Sequence, residues 1–448
     1  MRITSVRIAT LVVTATVLAV ATHAGPPRDV GRETLAAGDG WASAGAGTTG
    51  GSAAAPDHIY TVKNRRELVA ALNDGVYPPA SNAPSNAPKI IYVEGTIDAN
   101  VDDDNGPLTC ADYARNGFTI EAFLAAYDPA TWGRVNPSGP MEAARLASQG
   151  AQQARVRIRV GSNTTIVGVG KQATIRGAWL DIRGTAGVQG SRSNIIIRNV
   201  TFEDTYDCFP QWSPTDGALG NWNASYDSIS LRDADHVWID HNTFADVTTA
   251  DATLPVYFGR LFQVHDGLLD ITNASDLVTV SWNRFLNHDK VMLIGSSDTA
   301  PADVGKLRVT LHHNEWDGLG QRMPRVRYGQ VHVYNNLYRI GNVEGFGYAW
   351  GVGIRSALYA EHNFFQVADG ITPDMVIDRF NGTALHEQDN LFDGPASRFL
   401  VDLRAAYNSA NDPDLADDAS WTPTLYLDID PAQLVLSRVL AHAGPFAW

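Results

Sequence analysis

A short unit recurs along this chain and restricts the fold more than any other feature: an alternating apolar strand, then Asn or His, then an aromatic. It runs Ile195 to Phe202, Val237 to Phe244, Val278 to Phe285, Val309 to Trp316, Val331 to Tyr338 and Leu358 to Phe365. Counted between the closing aromatics, the spacing is 42, 41, 31, 22 and 27 residues. A fixed strand with a variable insertion is what a solenoid gives, because loops can grow outward without disturbing the stack. Asn suits the turns: it tolerates left-handed backbone and can hydrogen-bond its copy in the next rung. The repeat therefore predicts an all-β chain wound as a parallel β-helix. A β-sandwich is the alternative, weakened by the paucity of hairpin signals such as Asn-Gly.

The rest of the chain fits one such domain. At 448 residues a solenoid need not divide. Arg2 and Arg7 followed by apolar Ile8 to Ala21 read as a secretory signal over residues 1–24, cleaved after Ala21 or Ala24. No later stretch reads as a membrane span, so a soluble, secreted protein is expected, with residues 25–448 as its single domain. Residues 25–57 read as an extended start, and Asn64 as the cap of a helix over Arg65 to Asn73. Ile90–Val93 reads as a buried strand, and 99–154 as an insertion that is helix-like around Thr119–Tyr127. After about residue 367 the repeat fades into a covering tail. Cys110 and Cys208 are the only cysteines, and the sequence leaves open whether they pair. With 34 basic and 49 acidic residues the net charge is −15, which disfavours a nucleic-acid partner and leaves any attraction to a polyanion to local cations or a metal.

Between Asp227 and Arg327 lie three carboxylates and then three cations. The carboxylates are Asp227 and the pair in His265-Asp266-Gly267-Leu268-Leu269-Asp270; the cations are Lys290, in His288-Asp289-Lys290, and Arg322 and Arg327, in Arg322-Met323-Pro324-Arg325-Val326-Arg327. Asp266 and Asp270 are four apart, a spacing that keeps both on one face in a strand or a helix. Hard oxygen ligands converging on one face suit calcium. Cations beside such a metal suggest a polyanionic substrate bridged between them.

These segments, with Val237-Trp238-Ile239-Asp240-His241, Phe209-Pro210-Gln211-Trp212, Gly295-Ser296-Ser297-Asp298 and Gln330-Val331-His332-Val333-Tyr334-Asn335-Asn336, closely resemble the calcium-dependent pectate lyases of polysaccharide lyase family 1, in their extracellular bacterial branch. The resemblance extends from about Gly40 to the C-terminus. It implies a right-handed parallel β-helix whose long loops, on one side, form a substrate groove. It implies Asp227, Asp266 and Asp270 as Ca2+ ligands, Lys290 and Arg327 as cations holding substrate carboxylates, and Arg322 as the catalytic base. It further implies a monomeric, endo-acting enzyme that cleaves polygalacturonate by β-elimination, leaving a C4–C5 double bond on the new non-reducing end.

Arginine is an unusual base, since its guanidinium is ordinarily protonated. Asp240 and His241 sit within one copy of the repeat, and a structural role is expected for them. Rival functions fit less well. A calcium-independent pectin lyase would not need the three carboxylates, and a galacturonan hydrolase would flank the bond with paired acids and have little use for the arginines. A β-helical binding protein would have no reason to keep Lys290, Arg322 and Arg327 together.

Overall fold

The computed structural model describes residues 29–80, 83–342 and 344–448, so the signal segment expected over 1–24 lies outside the described residues. The chain forms a parallel β-helix of three long sheets, with eleven, ten and eight strands. Each coil visits them in turn. Asp235–Asp240 lies in the first sheet, Thr243–Ala245 in the second and Leu269–Thr272 in the third, and Asp276–Ser281 then returns to the first beside Asp235–Asp240. The pairing is in register: Val237 faces Val278, Val278 faces Val309, and Val309 faces Val331. Because each strand alternates its faces, one set of side chains fills the lumen in every coil. Ile195, Val237, Val278, Val309, Val331 and Leu358 form one such line, and none of them is exposed.

The asparagines of the repeat stack as expected. Asn242 Nδ2 donates to Asn283 Oδ1, Asn283 to Asn314, Asn314 to Asn336, Asn336 to Asn363 and Asn363 to Asn390, all at 3.0–3.1 Å. Asn390 extends the ladder past residue 367, where the sequence pattern fades. The strand feeding it, Ala384–Gln388, lacks β-branched alternation, yet Asn390 and Phe392 keep the unit's two fixed positions. The left-handed residue is not the ladder asparagine but the one before it. His241, Trp282, His313, Asn335, His362 and Asp389 have φ between 51° and 55°. The closing aromatics stack inside, Phe202 on Phe244, Phe244 on Phe285, Phe285 on Trp316 and Trp316 on Tyr338, with ring centroids 4.5–5.9 Å apart.

Both ends of the coil are closed. The helix Arg65–Ala71, capped by Asn64 as expected, buries Leu68 at one end; Leu403–Ala410 buries Leu403 and Tyr407 at the other. A C-terminal helix, Ala432–His442, covers Leu337, Phe364 and Leu391 on the outside of the second sheet. The insertion holds the expected helix, Ile120–Ala126, and a longer one, Pro140–Val156, not singled out from the sequence although its Ala, Gln and Arg favour helix. Cys110 and Cys208 pair, tying the insertion to the coil across 98 residues of chain. In a chain-entropy model a loop of that length is worth about 4–5 kcal/mol.

Asn314→Ala removes the acceptor of Asn283 and the donors to Asn336 and to the Val280 carbonyl, all fully buried. Stranded buried polar groups cost about 1–3 kcal/mol each. Urea denaturation should therefore show a loss of about 3 kcal/mol or more; a loss under about 1 kcal/mol would mean the ladder contributes little.

Candidate active site

The candidate site lies on the outer face of the third sheet, where Asp270 stands opposite Ser230. The loops linking the second sheet to the third are the long ones, and they stand along one edge of it. Residues 206–227 carry the hairpin strands Gln211–Ser213 and Asn221–Asn223, and residues 246–268 the shorter pair Val256–Tyr257 and Arg260–Leu261. Trp212 and Trp222 are buried there with Phe123 and Tyr127 of the insertion, a satellite core that fixes this wall.

The coil brings distant residues together at one corner. Ser228 donates its backbone N–H to Gly267, Leu268 to Val291, Met292 to Arg322, and Met323 to Ala349. Asp227, Asp266, Lys290 and Arg322 thus occupy matching corners of four consecutive coils. At about 4.8 Å per rung, a hundred residues of sequence collapse to about 14 Å. Asp270 lies one pleat further on, opposite Ser230.

The acidic half of this row carries no counter-ion. Among the described residues none of Asp227, Asp266 and Asp270 forms an ion pair. Asp227 is buried; it accepts from Gly267 N at 3.0 Å and from Ser230 Oγ. Burial and then the Asp270 and Asp266 charges hold its carboxyl well above the usual range. Asp270 accepts from Leu293 N at 2.9 Å and is pushed up to about 7, by burial and the Asp266 charge, with Arg322 and Arg232 pulling the other way. Gly267 leaves room between them: a Cβ there would lie 2.7 Å from Asp270 Oδ1 and 3.0 Å from Asp227 Oδ1. Three mutually repelling carboxylates make an all-oxygen donor set that fits calcium.

The basic half follows on the next coils, and the Arg322 charge acts on Asp270. Lys290 ends the strand Arg284–Lys290, half-buried, facing Gln321. Arg322 has φ of 64°, and its Nε is buried without a partner. Arg327 is fixed by Asp298, 2.6 Å from Nε, and by the Gly295 carbonyl, 3.0 Å from Nη1, so part of its fork serves the fold. Arg325, which the sequence reading passed over, lies between Arg322 and Arg327. Its Nε is also buried without a partner, its guanidinium sits 3.8 Å from the Phe380 ring centroid, and burial and then Arg327 lower its pKa. Glycines at 351 and 353 let these stems lie close, since a Cβ on either would meet an arginine Cγ at 2.9 Å.

A second group was also missed. One ligand atom from each of Asp246, Asp251 and His265 lies within 4.8 Å of the others, a tighter set than the three aspartates. Its polar atoms are largely engaged. Asp246 accepts from His288 Nδ1 at 2.7 Å, and both His265 nitrogens face carbonyls, of Thr205 and Thr249. Burial would lower the pKa of His288, but the Asp246 charge outweighs it and lifts it to about 9. Charged His288 then donates from Nε2 to the Asp266 carbonyl at 2.8 Å. This buried pair supports Asp266 from below, and its signal in the sequence was the histidine of His288-Asp289-Lys290. Asp240 and His241 lie elsewhere, at the end of the first-sheet strand Asp235–Asp240. Asp240 is held by Arg198 at 2.8 Å, His241 at 2.7 Å and Ser281 at 2.8 Å, and His241 packs on Phe446.

The pectate lyase family model matches residues 8–123 and 133–413. A pectate lyase of Bacillus subtilis is 43% identical over 420 residues, covering 93% of this chain and 94% of that protein. Pectate lyase E of Dickeya dadantii is 34% identical, over 81% and 77% of the two chains. Among solved structures, the thermostable pectate lyase PL 47 superposes with a TM-score of 0.89 at 47% identity, over 94% of this chain and all of that one (100%). A pectate lyase bound to a hexasaccharide gives 0.85 at 43%, over 93% and 99%.

The raised carboxyls make a prediction in the metal-free protein. The folded state keeps protons that the unfolded chain releases near pH 4, so this part of the stability is complete below about pH 4 and is lost as pH rises through about 7. Thermal melts in chelator should fall across that window, and Asp270→Asn should flatten the fall. An unchanged slope in the variant would contradict the raised value.

Proposed function

This chain belongs to the pectate lyase family and is a polysaccharide lyase, and from that premise we propose how its groove cleaves polygalacturonate. Asp227, Asp266 and Asp270 hold Ca2+, Lys290 and Arg327 hold uronate carboxylates, and Arg322 takes the C5 proton. The observation that carries this reading is the row of three carboxylates, Asp227 buried and none of the three in an ion pair among the described residues, followed on the next two coils by Lys290 and Arg322.

The difficult step is loss of a proton α to a carboxylate, because charge accumulates on a group that is already negative. Bound calcium supplies Lewis-acid stabilisation of that carboxylate. Lys290 and Arg327 add fixed positive charge where the negative charge develops, already oriented before reaction. Arg322 sits on left-handed backbone, a strained conformation of the kind that clusters at active sites; its Nε has no hydrogen-bond partner, while its guanidinium meets the Tyr348 hydroxyl. The C5–H electrons form the C4–C5 double bond as the C4–oxygen bond breaks. The leaving oxygen takes a proton, and the base returns its own to solvent.

A groove open along the sheet admits the middle of a polymer, so cleavage is endo. The chain acts as a monomer, since every group named comes from one coil stack, and it acts outside the cell after losing residues 1–24. Among the described residues no helix is long and apolar enough to cross a membrane.

Ultraviolet absorbance with polygalacturonate tests the reading. Absorbance should rise with calcium, stop with chelator, and increase into alkaline pH as a guanidine base requires. Arg322→Lys should lower kcat by about a hundredfold or more, the scale of general-base loss, with KM little changed. New reducing ends without absorbance, or a rate maximum in acid, would overturn it.

A further inference from the structure

The groove sheet does not stop at the carboxylates. Two more strands, Trp179–Arg183 and Arg157–Arg159, extend it toward the N-terminal end. Ile158, Leu180, Ile182, Ile229 and Leu231 fill the lumen, so the residues between them face outward with Asp270. One register line runs Asp270, Ser230, Asp181, Arg159; the next runs Thr272, Arg232, Arg183. Arg159 thus stands three rungs, about 14 Å, from the strand of Asp270 on the same face.

This end is rich in guanidinium groups in a protein whose net charge is −15. Arg157, Arg159, Arg183, Arg192 and Arg232 gather around one carboxylate, Asp181, which takes Arg157 and, at 3.4 Å, Arg183. Arg157 and Arg232 both lie over the Trp179 ring, 4.9 and 5.7 Å from its centroid, which holds their stems flat on the sheet. Between this face and the segment around Pro84 are two adjoining hollows, about 410 and 220 Å³, that share Arg159 and Pro84. Arginine burial and mutual repulsion are evident in it. Arg159 falls below the ordinary guanidinium value through burial and then the Arg157 charge, and Arg192 through burial and Arg159 despite the opposing pull of Asp181.

We propose that this arginine-lined end of the groove is a distal subsite that binds the carboxylates of galacturonate units lying beyond the calcium-held unit, without a metal. The inference rests on the reading of the site above and deepens it. Guanidinium forks match carboxylates bidentately, and a polygalacturonate chain carries one carboxylate per sugar along the same axis as the rungs. The substrate is therefore held by a metal-bridged centre and by direct Arg–carboxylate pairs upstream of it. Free phosphate or other small anions would meet only one end of this row and gain little.

The test is steady-state kinetics on oligogalacturonates from trimer to octamer, with Arg159→Gln and Arg183→Gln combined in one variant. The loss in kcat/KM should grow with chain length, reaching about tenfold on the longest, the value of one charge-assisted contact, and should appear in KM rather than kcat. Arg159→Lys with Arg183→Lys should recover part of it. Lys171→Gln, an exposed cation in a different groove near the C-terminus, controls for bulk charge and should show no length dependence. An equal loss at every length, no loss at any, or the same slope with Lys171→Gln would overturn the subsite while leaving the lyase reading intact. A wild-type protein that yields no unsaturated product from any substrate would instead remove the reading beneath it.

Discussion

The buried asparagine ladder is the interaction on which the remaining structure depends. Each rung turns through a non-glycine residue in the left-handed region, including Trp282 at φ 55°. That conformation costs roughly 1–2 kcal/mol per residue. The adjacent asparagine, wholly buried, offsets it with hydrogen bonds both along the ladder and to main-chain carbonyls. Because every rung is locked to the next, the third sheet inherits an in-register spacing that no local sequence of its own sets. Its strands Leu293–Ile294 and Arg325–Val326 are two residues long and would not hold a position alone.

That borrowed register makes the electrostatics possible. Carboxylates held together by the fold would relax away from one another if their backbone were free; here Asp227, Asp266 and Asp270 are fixed on rigid coils, with His288 and Asp246 bracing one of them. On the following coils, Lys290 and Arg322 are held close without neutralising the acids, and Asp298 restrains Arg327. The site is thus assembled in advance at an energetic cost, and the cost is carried by the solenoid.

Much of this was legible in the sequence, for identifiable reasons. Period-two alternation and a fixed Asn–aromatic pair report directly on rungs, so six copies of the unit were visible; a further copy was missed because Leu385-His386-Glu387 breaks the alternation while Asn390 keeps the ladder. The three aspartates and three cations were singled out through their motifs, and the coil stacks four of them, Asp227, Asp266, Lys290 and Arg322, at matching corners. Arg325 was missed because it looks like any surface arginine until its Nε is seen buried. Asp246, Asp251 and His265 were missed because they are scattered over a loop with no period. The arginine-rich end escaped notice because Arg157, Arg183 and Arg232 are spread over 75 residues and only the register lines them up.

The most direct measurement is calcium binding by titration calorimetry on the wild-type protein and on Asp227→Asn and Asp270→Asn, at a pH above the raised Asp270 value of about 7. The wild type should give a clear binding isotherm that each substitution weakens by about an order of magnitude or more, since each removes a charged ligand. Undiminished binding in both variants would place the ion elsewhere, with the Asp246–Asp251–His265 group the first alternative, and would contradict the site described here.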